Sequence, residues 1–209
     1  MRAKREPKFG ILKRARIWLR SQRTRRRFSE ALARGAGEAR AGRHEFVIVA
    51  DHLRPWRNAG AILRTADAFG ARAMYVVGTE FFDPKAAMGA LKHVPLRFFR
   101  DFAEAHAALV SEGYTVYVLV PPLDGEPARH LHETELPAKT AFVVGNETSG
   151  LSFTPEAFQG VLRLGIEQYG KMPCLNASVA AGLAMYEYAT QHADPRGSAR
   201  HPGDPEGGR

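Results

Sequence analysis

Beyond His44 the chain is written as short apolar runs separated by stretches of helical periodicity, and this alternation limits its fold more than any other feature. Strands are expected at Phe46 to Ala50, Ala73 to Val77, Leu96 to Phe99, Thr115 to Val120, Thr140 to Val144 and Val161 to Leu164. Helices fit between them at Asn58 to Phe69, Lys85 to Leu91 and Phe102 to Glu112, with Leu175 to Gln191 closing the domain. The order predicts an α/β domain with a mostly parallel sheet and flanking crossover helices. Pro121 to Pro137, with its prolines and Gly125, is expected as a surface loop.

Charge divides the 209 residues differently. Residues 1–43 hold 15 of the 30 Lys and Arg against Glu6, Glu30 and Glu38, a net +12 that leaves −4 for the remainder. A basic segment on a mildly acidic body is the pattern of an arm for a polyanion, since each phosphate neutralised releases condensed counterions. Nucleic acid is therefore the leading partner, with a solvated helix face or solubilising tail as the bland alternative and a basic amphipathic membrane helix as the third. No proline interrupts Phe9 to Leu32, and Ile11, Leu12, Ala15, Trp18 and Leu19 share one helical face, expected to pack on the body or on a second chain. Arg14, Arg16, Arg20, Arg23, Arg25, Arg26 and Arg27 should face outward, and Gly35, Gly37 and Gly42 mark a joint. The domains expected are a basic helical RNA-binding extension over 1–43, a catalytic domain over 44–192 and a disordered tail over 193–209, poor in large apolar residues.

No run approaches the roughly 18 apolar residues of a membrane span, and the N-terminus lacks the apolar core of a secretory signal, so a soluble cytoplasmic protein without a membrane partner is expected. Cys174 is the only cysteine, which rules out an internal disulfide and a cysteine zinc cluster. His130 and His132 have no ligand pattern around them, so no metal is expected.

Three segments put glycines with amide or charged side chains at the ends of expected strands, where ligands of open α/β sheets bind. Asn58 to Gly70 is a helix that carries Asn58 and Arg64, whose planar fork of donors can hold a phosphate. Gly145 to Gly150 is a polar loop after an apolar strand; two flanking glycines allow a ligand close to the backbone, and Glu147 can accept hydrogen bonds there. No Lys follows Gly150, so it is not a Walker loop. Ile166 to Tyr188 is an irregular loop turning into a helix rich in small residues, with Asn176 placed to cap its N-terminus or bind a ligand. Taken singly, these are also an ordinary surface arginine, a strand-to-loop turn and a simple helix cap.

Taken together and in this order, the segments resemble the three motifs of the SpoU-type RNA methyltransferases, also called the TrmH family, of the SPOUT superfamily. Asn58 to Thr65 is similar to their Asn-x-x-Ala-Ile-x-Arg-Thr helix, Gly145 to Gly150 to their Gly-x-Glu-x-x-Gly loop, and Cys174 to Ala180 to their Ser-Leu-Asn-x-Ser-Val-Ala segment. The likeness runs from Glu45 to Tyr188; the basic arm resembles the RNA-binding extension of tRNA guanosine methylases in kind only. It implies a C-terminal trefoil knot, a homodimer, and S-adenosyl-L-methionine as cofactor for 2′-O-methylation of a ribose in structured RNA; the basic arm and the short catalytic domain favour tRNA, with rRNA left open. It further implies catalytic roles for Arg64, Asn58, Glu147 and Asn176. Cofactor contacts would come from Val144, Gly145, Asn146, Glu147, Gly150, Ile166, Gln168, Cys174 and Leu175, and RNA contacts from Arg14, Arg20, Arg23, Arg25, Arg26 and Arg27. Ala180, Ala181, Gly182 and Ala184 would meet the second copy. Cys174 stands where the family usually has serine, and a thiol is the weaker donor. Two alternatives remain: a non-catalytic RNA-binding or assembly factor that keeps the fold, and a base-modifying enzyme with Cys174 as nucleophile.

Overall fold

The structure, a computed structural model, describes residues 8–35, 37–121 and 128–193, with side chains from residue 16 onward. The order is α1 (Lys8–Arg34), β1 (Val47–Asp51), α2 (Trp56–Ala68), β2 (Ala73–Val77), β3 (Leu96–Phe99), α3 (Phe102–Ser111), β4 (Thr115–Val120), β5 (Arg129–His130), β6 (Thr140–Val144), β7 (Val161–Gly165) and α4 (Ala177–Gln191). The sheet runs β3-β2-β1-β6-β4-β7-β5, and every pairing in it is parallel. The α/β architecture with a parallel sheet is therefore as expected.

Continuous apolar runs form these strands because both faces of the sheet are covered; every residue of β1, β2 and β6 is buried. Alternate residues separate onto two faces, Phe46, Ile48, Met74, Val76 and Phe142 on one and Val47, Val49, Tyr75, Val77 and Val143 on the other. The first face takes α2 and α4, which pack together, and the second takes α3 through Phe102, Ala105 and Leu109. Asp101 caps α3, its side chain accepting from the Glu104 amide at 3.0 Å.

Several expectations are corrected. No helix spans Lys85 to Leu91: Met88 and Gly89 are consecutive left-handed residues (φ +48° and +99°), which leaves turns and a 3₁₀ turn at Ala90–Lys92. The Pro121 to Pro137 loop contains β5, paired with β7, and a 3₁₀ turn at Leu131–Glu133 whose Leu131 is buried; residues 122–127 lie outside the described residues. On the body the arm docks through Phe28, 3% exposed and 4.8 Å from the Phe82 ring, with Ala31 beside it; Trp18 and Leu19 of the stripe are 60% and 49% exposed, so they do not pack on the body, the first of the two places expected for them. The side chains of Ile11, Leu12, Arg14 and Ala15, and the tail from Asp194 onward, lie outside the described residues. Ala181 and Ala184, expected between two copies, are fully buried in the chain's own core, and Gly182 faces Thr65 of α2; α4 instead exposes Val179, Leu183 and Tyr186.

Candidate functional site

Parallel pairing brings the C-terminal ends of β1, β6, β4 and β7 to one edge of the sheet. β4 lies between β6 and β7, so the segments leaving those two strands flank its end, as at the switch points where α/β sheets bind ligands. There they enclose a cleft of about 330 Å³, within the usual size range of small-molecule sites. Its wall includes all nine residues expected to contact the cofactor: Val144, Gly145, Asn146, Glu147, Gly150, Ile166, Gln168, Cys174 and Leu175. Leu119, Val120 and Pro121 at the end of β4, with Leu151, Ala177 and Ala180, complete it. The three at the end of β4 were missed from the sequence because only the strand order reveals that β4 ends beneath the two loops; Leu151, Ala177 and Ala180 adjoin or lie within the second and third motifs.

The Gly145 to Gly150 loop is closed by Asn146 N–H to Gly150 O at 2.8 Å and Gly150 N–H to Asn146 O at 2.9 Å. The Asn146 side-chain oxygen accepts from the amides of Thr148 (2.9 Å) and Ser149 (3.2 Å), which holds the turn from within. A Cβ on Gly145 would lie 2.6 Å from the Gly150 carbonyl group, so that position is closed to any side chain; Gly150 instead meets a left-handed backbone (φ +69°).

A second clamp reaches this loop from β1. Asp51 is fully buried, and its carboxylate accepts from the Ser152 amide (2.6 Å), the Ser152 hydroxyl (2.7 Å) and His52 Nδ1 (2.8 Å). Asn146 Nδ2 donates to the His52 carbonyl at 3.0 Å. Burying a carboxylate is costly unless its lone pairs are satisfied, and here the donors come from the loop that it steadies. The apolar run before Asp51 gave a strand and no hint of this role, since Ser152 lies 101 residues away.

Of the residues given catalytic roles, the structure joins two. Asn176 caps α4 by accepting from the Ser178 amide at 2.9 Å and donates its Nδ2 to the Glu147 carboxylate, which ties the second motif to the third. Asn58 and Arg64 stand on α2, outside the cleft wall. Asn58 is 8% exposed and its side-chain N–H group finds no acceptor among the described residues; Arg64 is exposed and forms no ion pair with them. On the arm, Arg20, Arg23 and Arg27 are exposed; Arg25 is held by Glu80 and lies 5.8 Å from the centre of the Phe81 ring, and Arg26 pairs with Glu30 at 2.8 Å.

Cys174 is exposed on the cleft wall, which carries no His, Lys or Arg. Among the described residues no three His, Cys, Asp or Glu come together as metal ligands, and no helix is long and apolar enough to cross a membrane.

Residues 45–186 match the model of the SpoU rRNA Methylase family. An uncharacterised tRNA/rRNA methyltransferase of Synechocystis is 34% identical over 160 residues, 74% of this chain and 40% of that protein. The crystal structure of the SpoU methyltransferase AviRb from Streptomyces viridochromogenes, in complex with AdoMet, superposes with a TM-score of 0.60 at 25% identity, covering 71% of this chain and 58% of that one. A structure described for the 2-OH methylation of C/U34 on tRNA superposes with a TM-score of 0.59 at 28% identity, covering 71% of this chain and 96% of that one. This chain spans 40–65% of the length of the curated relatives that resemble it. With the parallel sheet, the cleft and the three motifs in place, the family match over two thirds of the chain makes it a member of the SpoU rRNA methylase family.

Proposed function

We propose that the protein methylates a ribose 2′-hydroxyl in structured RNA, tRNA in preference to rRNA, with S-adenosyl-L-methionine as cofactor. The observation that carries this is the Glu147–Asn176 hydrogen bond at a cleft walled by the second and third motifs. The wall fits the cofactor: it is mostly apolar and of adequate volume. The relative bound to AdoMet and the one concerned with tRNA support the cofactor and the substrate class respectively.

The cofactor, when bound, supplies an electrophilic sulfonium methyl. The chain's own work is to orient and deprotonate. Arg64 holds the hydroxyl and its neighbouring phosphate, worth most where the reacting atoms are already aligned. A guanidinium keeps its proton at neutral pH, so Arg64 orients and stabilises while a phosphate oxygen or water takes the proton. Residues 1–43 act as the RNA-binding extension of a catalytic domain over 44–192, in the cytoplasm. The C-terminal segment threads a trefoil knot, a reading supported by α4, which follows β7 yet packs on α2 and β6, and by Asn176 at its start, which bonds Glu147 in the loop after β6. Two copies pair through α4, whose Val179, Leu183 and Tyr186 form an exposed apolar stripe.

The test is incubation with labelled cofactor and, separately, bulk tRNA and rRNA, followed by mass-spectrometric mapping of the modified nucleotide. Methylation of one tRNA position is expected. Labelling of rRNA alone overturns the tRNA preference, and no transfer to either leaves the non-catalytic RNA-binding reading standing.

A further inference from the structure

The docking of α1 on the body creates a second concavity, away from the cofactor cleft. It encloses about 370 Å³ between the C-terminal half of α1 and the connection from β2 to β3, and its walls carry Arg27, Arg34, Lys85 and Lys92. Glu30 is the single acid among its lining residues, and that carboxylate is already bonded to Arg26. None of the four cations has an ion-pair partner within 4 Å among the described residues, whereas Arg25 and Arg26, outside the cleft, are both paired.

The walls are fixed to each other. Phe28 packs on Phe82 and Phe98, and Gly35 approaches so closely that a Cβ there would lie 3.0 Å from Lys92 Cα. The Arg40 amide then donates to the His93 carbonyl at 3.1 Å. Four like charges gathered in one concavity repel, and the field they focus attracts anions. The helix dipole favours a cation at Arg34, in the last turn of α1, but gives no reason for Lys85 and Lys92 on the facing wall.

We propose that this cleft binds the phosphodiester backbone of the RNA substrate, with Arg27 and Arg34 on one wall and Lys85 and Lys92 on the other. The inference rests on the reading that RNA is the substrate. The spacing suits a polymer: seven residues apart, Arg27 and Arg34 share a helix face about 10.5 Å apart along the axis, so each can take a different phosphate of one strand. The position also suits that substrate. The connection that carries the lysines is pinned to the first turn of α2, the helix that bears Arg64, by the Asp83 amide donating to the Trp56 carbonyl at 3.2 Å.

The test is a salt titration of full-chain binding to bulk tRNA, with Lys85→Gln/Lys92→Gln, Arg27→Gln/Arg34→Gln and, as a control of equal charge, Arg129→Gln/Lys139→Gln. Glutamine keeps helix propensity while removing charge, and thermal melts verify folding. Two lost phosphate contacts lower the slope of log affinity against log salt by about 1.4 to 1.8. Wild type then loses roughly 7- to 12-fold more affinity than either cleft variant between about 50 and 200 mM salt. Slopes equal to the control for both cleft variants overturn the site. Inorganic phosphate at matched ionic strength should displace no more tRNA than chloride; selective displacement overturns the polymer assignment in favour of a small-anion site. Methyl transfer by wild type is measured in parallel, so an inert enzyme sinks the catalytic reading without deciding the cleft, and an active enzyme with unchanged slopes sinks the cleft alone.

Discussion

Gly145→Ala and Gly150→Ala should separate cofactor binding from stability, because the two glycines are there for different reasons. At Gly145 an added methyl would stand 2.6 Å from the Gly150 backbone and 2.8 Å from the Leu151 nitrogen, where ordinary contact begins at 3.4 Å. The strand end and the returning loop must part by about 0.8 Å. That stretches the 2.8 Å Asn146-to-Gly150 hydrogen bond to about 3.6 Å, beyond bonding range, and threatens the 2.9 Å bond beside it. Losing one or both costs about 1–3 kcal/mol, which at the cleft wall converts to roughly 5- to 150-fold in cofactor affinity. Gly150 has open space around its missing Cβ but a φ of +69°, so alanine there carries about 1–2 kcal/mol of left-handed strain while the loop keeps its path. Calorimetry with the cofactor and thermal melts of both variants distinguish them. Gly145→Ala should bind far more weakly than Gly150→Ala; equal affinities, with both proteins folded, would refute the reasoning.

Arg64→Ala should abolish methyl transfer while leaving cofactor affinity within a few fold, since Arg64 lies off the cleft wall; loss of cofactor binding by calorimetry, with the fold intact, would contradict its placement on the RNA. Cys174→Ser should retain or raise the transfer rate, because the hydroxyl is the better donor on the same wall, whereas a dead serine variant would revive the thiol as nucleophile. Burial first, and then the charges of Arg43 and His192, hold His44 below the usual histidine range. The unfolded chain therefore takes up a proton near pH 6.5 that folded His44 refuses until lower pH, and stability falls as pH drops through that window. The melting temperature should decline by about a few °C at most between roughly pH 7.5 and 5.5, less so in His44→Phe, which keeps the edge contact with Tyr188; identical declines in both proteins would exclude His44 as the source.

The strands β2, β3, β4 and β6 begin and end where the apolar runs do, since each is bounded by residues that punctuate a chain. β5 was not legible: Arg129 and His130 have no apolar signal, and they pair only because β7 lies beside them. The helix expected at Lys85 to Leu91 failed because a periodic count does not register two successive left-handed residues. Periodicity likewise identified an apolar stripe on α1 that ends at Leu19 but missed Phe28, the residue that meets the body, while Trp18 of the stripe stays exposed in the single chain. In the site, the loop residues could be read because their glycines and amides are local. The Asp51–Ser152 clamp and the contribution of β4 depend on contacts far apart in sequence and appear only once the strands are ordered.

The most direct test is the chemistry of the product. RNA labelled by the protein and methyl-labelled cofactor is hydrolysed in alkali, which cleaves every linkage with a free 2′-hydroxyl. The expected result is label recovered in an alkali-resistant dinucleotide, because the methylated 2′-oxygen can no longer attack the adjacent phosphate. Label released in a mononucleotide with the methyl on its base would contradict ribose methylation and, with it, the role given to Arg64.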